Sequence, residues 1–347
     1  MMVKASILGH FAEGKTLLNG QTVKTKIIAE ELQNQLGQDQ VLRIDTHGGW
    51  KTLLKAPFQV FRALKNSRNV LIFPAHNGLR VYAPLLSFQR KIFKGRKIHY
   101  VVIGGWLPDF LVKRKRLAKA LKKFDGIYVE TNTMKTALES QGFENVTVMP
   151  NCKRLKVLSE SELIYPEKAP YKLCTFSRVM KEKGIEDAVD TVIAVNAALG
   201  YQAFSLDIYG QVDESQTAWF DELQRRFTDS IHYCGCVEAN KSVEVLCEYF
   251  ALLFPTYYEG EGFAGTLIDA YSAGIPVIAS DWKYNPEIVS ETVGYLYPAR
   301  NQDAFLDVLK KIADNPIELL SKKRACLIEV QQYRIETAIY VLIKKLG

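Results

Sequence analysis

Short apolar runs alternate with longer amphipathic stretches along almost the whole chain. In the first half, runs rich in β-branched residues predict strands over 3–8, 41–45, 69–75, 98–104, 126–131 and 146–151. Helical patterns separate these runs, near 21–36, 52–66, 80–93, 109–123 and 132–142. Such alternation predicts an α/β fold in which helices cover both faces of a parallel sheet.

The same pattern restarts after residues 155–171, a polar stretch with two prolines that we interpret as a linker. Further strands are predicted over 172–178, 203–210, 230–236, 250–256, 275–281 and 293–298. The chain therefore reads as two doubly wound domains, residues 1–155 and 156–329, with a helix over about 330–347 packing back on the first. Ligands of such sheets bind beyond the carboxyl ends of the strands, so we expect the active site in a cleft between the domains.

Charge is distributed unevenly over the 347 residues. Residues 1–160 hold 27 Lys and Arg against 11 Asp and Glu, whereas the remainder holds 18 against 27. The first domain should therefore meet an anionic partner. No apolar run approaches the roughly 20 residues that span a bilayer, and no signal peptide is recognisable, so we expect a cytoplasmic protein. The 6 cysteines are too scattered for a disulfide scaffold, and no metal site is expected.

A phosphate-binding motif occurs near the amino terminus. Residues 9–16 read GHFAEGKT, which matches the P-loop pattern G-x-x-x-x-G-K-[ST] and includes Lys15. That mechanism needs a helix to begin at the Lys-Thr pair, but Asn19 and Gly20 interrupt the chain there. A glycine loop near a ligand's phosphate is favoured, and a P-loop NTPase or kinase remains an alternative.

Two acidic residues stand out in the second half. Glu261 lies in a glycine-rich loop after a predicted strand, and Asp269 follows eight positions later on the predicted helix. Glu259 has no such counterpart, because position 267 is Leu. A glycine-rich loop leading into a helix presents free N–H groups to an anion or to sugar hydroxyls.

This stretch, EGFAGTLID, resembles the donor site of retaining, family-4-type glycosyltransferases of the GT-B fold. The signature of that family is E-G-F-G followed by a second Glu, so Asp269 takes the place of the second acid and Ala264 that of the second glycine. Residues 177–190 are similar to the family's R-x4-K segment, with Arg178 and Lys183 at its two cations. Residues 14–26 and 101–110 resemble the subgroup that assembles bacterial capsule and surface polysaccharides.

The resemblance implies a sugar transfer, with retention, from a UDP- or GDP-linked sugar bound by the second domain, with no metal or other cofactor. It assigns catalysis to Glu261, Arg178 and Lys183. The donor would contact these three residues together with Gly20, Gly262, Phe263, Ala264, Gly265 and Asp269. The acceptor should lie on the first domain, where His76, Trp106 and Asp109 follow predicted strands.

Residues 107–124 combine seven Lys and Arg with regularly spaced Phe and Leu, which is typical of an interfacial helix. We expect this segment to bind an anionic membrane surface, so that the protein is peripheral on the inner face and uses a lipid-linked saccharide acceptor. A nucleotide-sugar epimerase of the same fold is a further alternative. A nucleic-acid partner is not expected, because no recognition motif is present.

Overall fold

The computed structural model describes residues 2–12, 14, 20–154 and 156–346, of which Trp50 and Lys51 are described by their backbone. The chain divides into two compact units. Unit 1 comprises Met1–Arg154 and Tyr333–Gly347, and unit 2 comprises Leu155–Gln332. Lys15 of the P-loop-like motif lies outside the described residues.

Unit 1 is built on a parallel sheet with the strand order β2-β1-β3-β4-β5-β6. Its strands are β1 (Val3–Gly9), β2 (Val41–Asp45), β3 (Ser67–Ile72), β4 (Lys97–Val101), β5 (Gly126–Val129) and β6 (Val146–Val148). Its helices up to β6 are α1 (Gly20–Leu36), α2 (Trp50–Leu54), α3 (Ala56–Asn66), α4 (His76–Gln89), α5 (Leu107–Val112), α6 (Lys115–Leu121) and α7 (Asn132–Glu139). Because β1 pairs with both β2 and β3, the winding direction reverses beside β1.

Unit 2 has a second parallel sheet, with the order β12-β11-β10-β7-β8-β9. Its strands are β7 (Tyr171–Phe176), β8 (Phe204–Tyr209), β9 (Ile231–Gly235), β10 (Ala251–Phe254), β11 (Val277–Ser280) and β12 (Gly294–Tyr297). Its helices are α8 (Ile185–Leu199), α9 (Thr217–Gln224), α10 (Ser242–Leu246), α11 (Gly265–Ser272), α12 (Asn285–Ile288), α13 (Gln302–Asp314), α14 (Pro316–Leu320) and α15 (Lys323–Glu329). The winding reverses between β7 and β10, which are neighbours in the sheet. The predicted doubly wound α/β architecture is thus confirmed in both units.

The chain returns to unit 1 through two short helices, α16 (Ile335–Ala338) and α17 (Tyr340–Leu346). Ile335, Ile339 and Leu342 are buried in the same apolar cluster as Ile28 and Leu32 of α1. The amphipathic end of the chain therefore covers part of the unit 1 sheet, and its burial stabilises a segment too short to be helical alone.

Two helices predicted as continuous are each broken in the structure. Over 52–66, α2 ends at Leu54 and α3 begins at Ala56, because Pro57 in its first turn favours a new helix start. Over 109–123, the break falls at Lys113 and Arg114, whose backbone leaves the helical region. The Arg114 side chain turns back there, and its Nη1 donates to the carbonyl oxygen of Phe110 at 2.8 Å.

A buried ion pair joins α1 to the end of β5. Lys24 Nζ lies 2.5 Å from Glu130 Oε1, and both side chains are almost fully buried. A charge taken out of water this completely is tolerated only while its partner is present.

Removing one partner should therefore cost more than removing both. We expect Glu130→Gln to lower the free energy of unfolding by about 3–5 kcal/mol, because it leaves the Lys24 ammonium buried without its counter-charge. The double variant Lys24→Met with Glu130→Leu should lie within about 2 kcal/mol of the wild type. Urea unfolding of the three proteins measures this, and equal losses in both variants would contradict it.

Candidate functional site

The sequence-predicted cations and acid meet at the carboxyl ends of β7 and β10. Arg178 follows β7, and a 3-10 turn over Lys181–Lys183 brings the chain to the start of α8. Glu261 lies in the loop that follows β10. The winding reverses between these two strands, and ligands of doubly wound sheets bind at such a point, beyond the carboxyl ends of the strands.

Glycine at position 184 allows this approach. Its φ of +69° is in the left-handed region, and a Cβ there would lie 2.2 Å from the carbonyl oxygen of Pro255. The Lys183 turn is therefore packed directly against the backbone that leaves β10.

Lys183 and Glu261 form a buried ion pair. The Lys183 Nζ lies 2.5 Å from the Glu261 Oε2, and the side chains are only 10% and 8% exposed. The Thr256 hydroxyl donates to the same oxygen at 2.9 Å, and the Tyr258 amide donates to that hydroxyl at 3.2 Å. Glu261 is thus fixed in position by a cation and by a hydroxyl.

Arg178 lies closer to solvent, near the ring of Tyr258. Its guanidinium carbon is 5.7 Å from the centre of the Tyr258 ring, and Lys183 Nζ is 5.2 Å from the same centre. The guanidinium also lies 3.7 Å from Asp213 Oδ2. Hydrogen bonds from Ser215, followed by the charge of Arg178, lower the pKa of Asp213. Two cations therefore lie near the Tyr258 ring, at distances typical of cation–π contacts.

The loop after Glu261 leads into α11. Gly262 and Phe263 are buried, and Gly265 begins the helix after Ala264, which provides no side-chain cap. Asp269 is buried about one turn further along this helix. The uncapped amides at the start of α11 are suited to an anion, because the helix dipole is positive there.

Thr266 is a residue of this loop that the sequence analysis missed. Its hydroxyl oxygen is buried and has no hydrogen-bond partner among the described residues. It lies in the first turn of α11. Its place in the sequence, directly after Gly265 at the predicted start of the helix, could have identified it.

In contrast, Glu259 stands apart from this cluster. Its side chain is 76% exposed and pairs with Lys283 at 2.9 Å. The spacing that favoured Glu261 over Glu259 thus separates a buried carboxylate from a solvent-exposed one.

In unit 1, two of the predicted acceptor residues are in contact. His76 begins α4, and its ring centre is 3.9 Å from that of Trp106. The Phe110 ring meets both edge-on, and the Arg114 guanidinium carbon lies 3.7 Å from the Phe110 ring centre. Burial, followed by the charge of Arg114, lowers the pKa of His76. The three rings form an aromatic platform, with the Arg114 guanidinium against Phe110.

Asp109 and Gly20 each lie at the start of a helix. Asp109 is exposed in the first turn of α5, which also begins just after Trp106. Gly20 is the exposed first residue of α1.

A pair of histidines lies beside β1 and β2. His47 Nδ1 is 2.8 Å from His10 Nε2, and His10 Nδ1 is 2.7 Å from the Thr22 hydroxyl. Burial is the main cause that lowers the pKa of His10, and the charge of the neighbouring His47 lowers it further. The sequence analysis placed neither histidine in a site, although each follows one of two adjacent strands whose ends share a register.

The described residues contain no group of three or more His, Cys, Asp or Glu placed to hold a metal ion. None of the described helices has the length and apolar character needed to cross a bilayer.

Comparison with known proteins finds similarity to glycosyltransferases. Residues 170–315 match the family described as glycosyl transferases group 1. A relative from Streptococcus gordonii, named UDP-N-acetylglucosamine--peptide N-acetylglucosaminyltransferase GtfA subunit, is 28% identical over 222 residues, which are 61% of this chain and 42% of that protein. The chain thus spans less than half the length of this relative.

Solved structures share the fold over the whole chain. The sucrose-phosphate synthase of Thermosynechococcus elongatus has a TM-score of 0.75 at 14% identity, covering 98% of this chain and 97% of its own. HepE of Anabaena, solved with UDP and glucose, has a TM-score of 0.72 at 14% identity and covers 99% of both chains. The fold is that of the GT-B glycosyltransferases. The resemblance drawn from the motifs is confirmed, since residues 170–315, which carry those motifs, match glycosyl transferases group 1.

The packing at Gly184 can be tested against a second left-handed glycine, Gly200, at the other end of α8. A Cβ at Gly200 would meet nothing within 4 Å, so Gly200→Ala should cost only the left-handed conformation, about 1–2 kcal/mol. Gly184→Ala should cost at least about 1 kcal/mol more, because it also collides with the Pro255 backbone. Denaturant unfolding compares the two, and equal losses would contradict the close approach.

Proposed function

We propose that the protein transfers a sugar from a UDP-sugar to an acceptor hydroxyl, with retention and without a metal ion. The observation that carries this proposal is the buried Lys183–Glu261 pair at the reversal between β7 and β10, inside a glycosyl transferases group 1 domain. We favour UDP over GDP as the nucleotide of the donor, because the S. gordonii relative is named for UDP-N-acetylglucosamine and HepE was solved with UDP.

In this proposal unit 2 binds the donor. Arg178, Lys183 and the amides at the start of α11 offset the negative charge that develops on the diphosphate as the sugar bond breaks. A guanidinium provides paired donors and an ammonium a compact charge, and both suit a diphosphate. These groups take the place that a metal ion would otherwise fill.

Glu261 and Asp269 serve opposite ends of the donor. Glu261 accepts hydrogen bonds from hydroxyls of the transferred sugar and orients the anomeric carbon. Asp269 accepts from the ribose diol, with one methylene less than the family's glutamate. Gly262, Phe263, Ala264 and Gly265 bring the backbone close to the sugar and the phosphate.

The acceptor is proposed to rest on the platform of unit 1. Trp106 and His76 offer ring faces to an apolar sugar surface, and Asp109 is the candidate base. A saccharide linked to a lipid is the proposed acceptor, in the assembly of a capsule or surface polysaccharide at the inner face of a membrane. Because the S. gordonii relative is named for a peptide acceptor, assays should offer both kinds.

The donor model separates the two acids. Glu261→Gln should lower kcat by a factor of about 10² or more with little loss of UDP affinity, as expected of an interaction that acts in the transition state. Asp269→Ala should weaken UDP binding by about 1–3 kcal/mol. Initial rates of UDP release with each UDP-sugar, and calorimetry with UDP, measure the two effects.

Glu259→Gln is the matched control, since it makes the same change on an exposed carboxylate two residues away. It should keep wild-type rates. Full activity of Glu261→Gln, or exchanged phenotypes between positions 261 and 269, would contradict the assignment. A P-loop NTPase or kinase would behave differently. It would hydrolyse ATP with Mg²⁺, and EDTA would abolish its activity.

The acceptor platform gives a separate expectation. Trp106→Ala should raise the acceptor KM by about tenfold or more, since stacking on an aromatic face contributes on the order of 1 kcal/mol or above. Acceptor-independent hydrolysis of the UDP-sugar should stay unchanged. Tyr340→Ala, an exposed aromatic on α17, is the control. A fall in UDP-sugar hydrolysis with an unaltered acceptor KM would contradict the platform's role.

A further inference from the structure

One side of unit 1 carries an unusual combination of cations and exposed apolar side chains. Between Asp45 and Asp125 the chain has 18 Lys and Arg and a single acid, Asp109. This segment contains α3, α4 and α6, of which α3 packs against α4 and α4 against α6. The three helices form one layer, called here the α3–α4–α6 face.

Large apolar side chains project from this face into solvent. Leu54, Phe58, Phe88 and Ile92 are between 66% and 72% exposed. Contacts join the segments that carry them, because Gln89 Nε2 donates to the carbonyl oxygen of Pro57 at 3.1 Å and the Phe61 and Phe93 rings meet at 5.3 Å. The apolar residues therefore belong to one patch of surface and are not scattered singly.

Cations surround and interrupt the patch. Lys55, Arg62 and Lys65 are exposed on or beside α3, and Lys91 and Lys94 are exposed just after α4. None of these five forms an ion pair within the described part of the chain. Their positive charge is thus available to an external anion.

The combination of cations and apolar side chains continues at the break between α5 and α6. A cavity of about 730 Å³ opens there, with Arg80, Lys113 and Arg116 at its rim and Pro84 and Leu117 in its lining. Among the described residues that line it, none is acidic. The predicted interfacial helix over 107–124 is therefore only one part of a broader cationic and apolar surface.

We propose that the α3–α4–α6 face docks on an anionic lipid bilayer, with Leu54, Phe58, Phe88 and Ile92 entering the boundary between headgroups and acyl chains. This inference deepens the proposed acceptor class, and only the choice of a lipid-linked acceptor rests on the proposed function. Apolar side chains interleaved with Lys and Arg match an interface where hydrocarbon lies directly below anionic headgroups.

Other occupants match this face less well. A second copy would set two strongly cationic surfaces against each other in a symmetric contact, which opposes association. A protein partner would favour an apolar centre depleted of charge and enclosed by a polar rim. Here Lys55 and Lys91 are sequence neighbours of the exposed apolar residues themselves.

The experiment is sedimentation of the full chain with phosphatidylcholine vesicles, with and without phosphatidylglycerol. Wild-type protein should bind the anionic vesicles at low salt and be released by high salt, because screening shortens the reach of surface charges. Lys91→Glu with Lys94→Glu should lower the partition constant at least tenfold, given about fivefold for each basic residue near the surface. Phe58→Ser with Phe88→Ser should lower it by at least about tenfold through lost insertion.

Matched controls make the same changes on unit 2. Ile317→Ser with Ile328→Ser replaces two exposed apolar residues, and Arg225→Glu with Lys241→Glu reverses two exposed cations. Both should bind vesicles as the wild type does. Thermal unfolding verifies that each variant is folded. Phe58→Trp adds an independent readout, since brominated lipid should quench more of its fluorescence than of that of Ile317→Trp, which has the same four native Trp.

Three results would overturn the proposal. They are wild-type protein that ignores anionic vesicles at low salt, equal losses in the test and control variants, and a dimer in analytical ultracentrifugation that Phe58→Ser with Phe88→Ser dissociates. Failure of the proposed function is a different result, namely absent sugar transfer to soluble acceptors with vesicle binding intact. The converse, transfer to soluble acceptors without vesicle binding, would count against the docking face alone.

Discussion

The parallel pairing of β7 with β10 is the constraint on which the candidate site of unit 2 depends. Strands that are neighbours in the sheet but distant in the chain bring together loops that local structure alone could not. Lys183 and Glu261 are 78 positions apart in sequence, yet Nζ and Oε2 are 2.5 Å apart. The left-handed Gly184 completes this arrangement, because a side chain there would hold the first loop away from the second.

Much of the fold could be predicted from the sequence, because the apolar strands are buried on both faces and read as uninterrupted runs. Val70, Leu71 and Ile72 of β3 are fully buried, and β2 has the predicted bounds, Val41–Asp45. The breaks within helical stretches were the part that periodicity could not resolve. Lys113 and Arg114 fit an amphipathic helix by pattern, and only the contact of Arg114 with Phe110 explains why the chain leaves the helix there.

The candidate site was predictable as a set of residues but not as a set of contacts. Spacing distinguished Glu261 from Glu259, and the structure places one buried and the other exposed. Spacing gave no hint that Lys183 pairs with Glu261, that Thr256 supports the same carboxylate, or that Thr266 has an unsatisfied hydroxyl. Those relations arise from tertiary packing, as does the pairing of His10 with His47. The roles assigned to these residues stay predictions.

The buried pair also bears on how a donor could bind. A desolvated ammonium and carboxylate each need a partner, so neither can be released into an apolar site without a large penalty. A nucleotide sugar offers a replacement for both, because its diphosphate can take the Lys183 charge while its sugar hydroxyls donate to Glu261. A nucleoside diphosphate without the sugar offers a partner to Lys183 only. It would leave the Glu261 carboxylate supported by the Thr256 hydroxyl alone. If the proposed function holds, this exchange of partners would favour the complete donor over its nucleotide product at the same site.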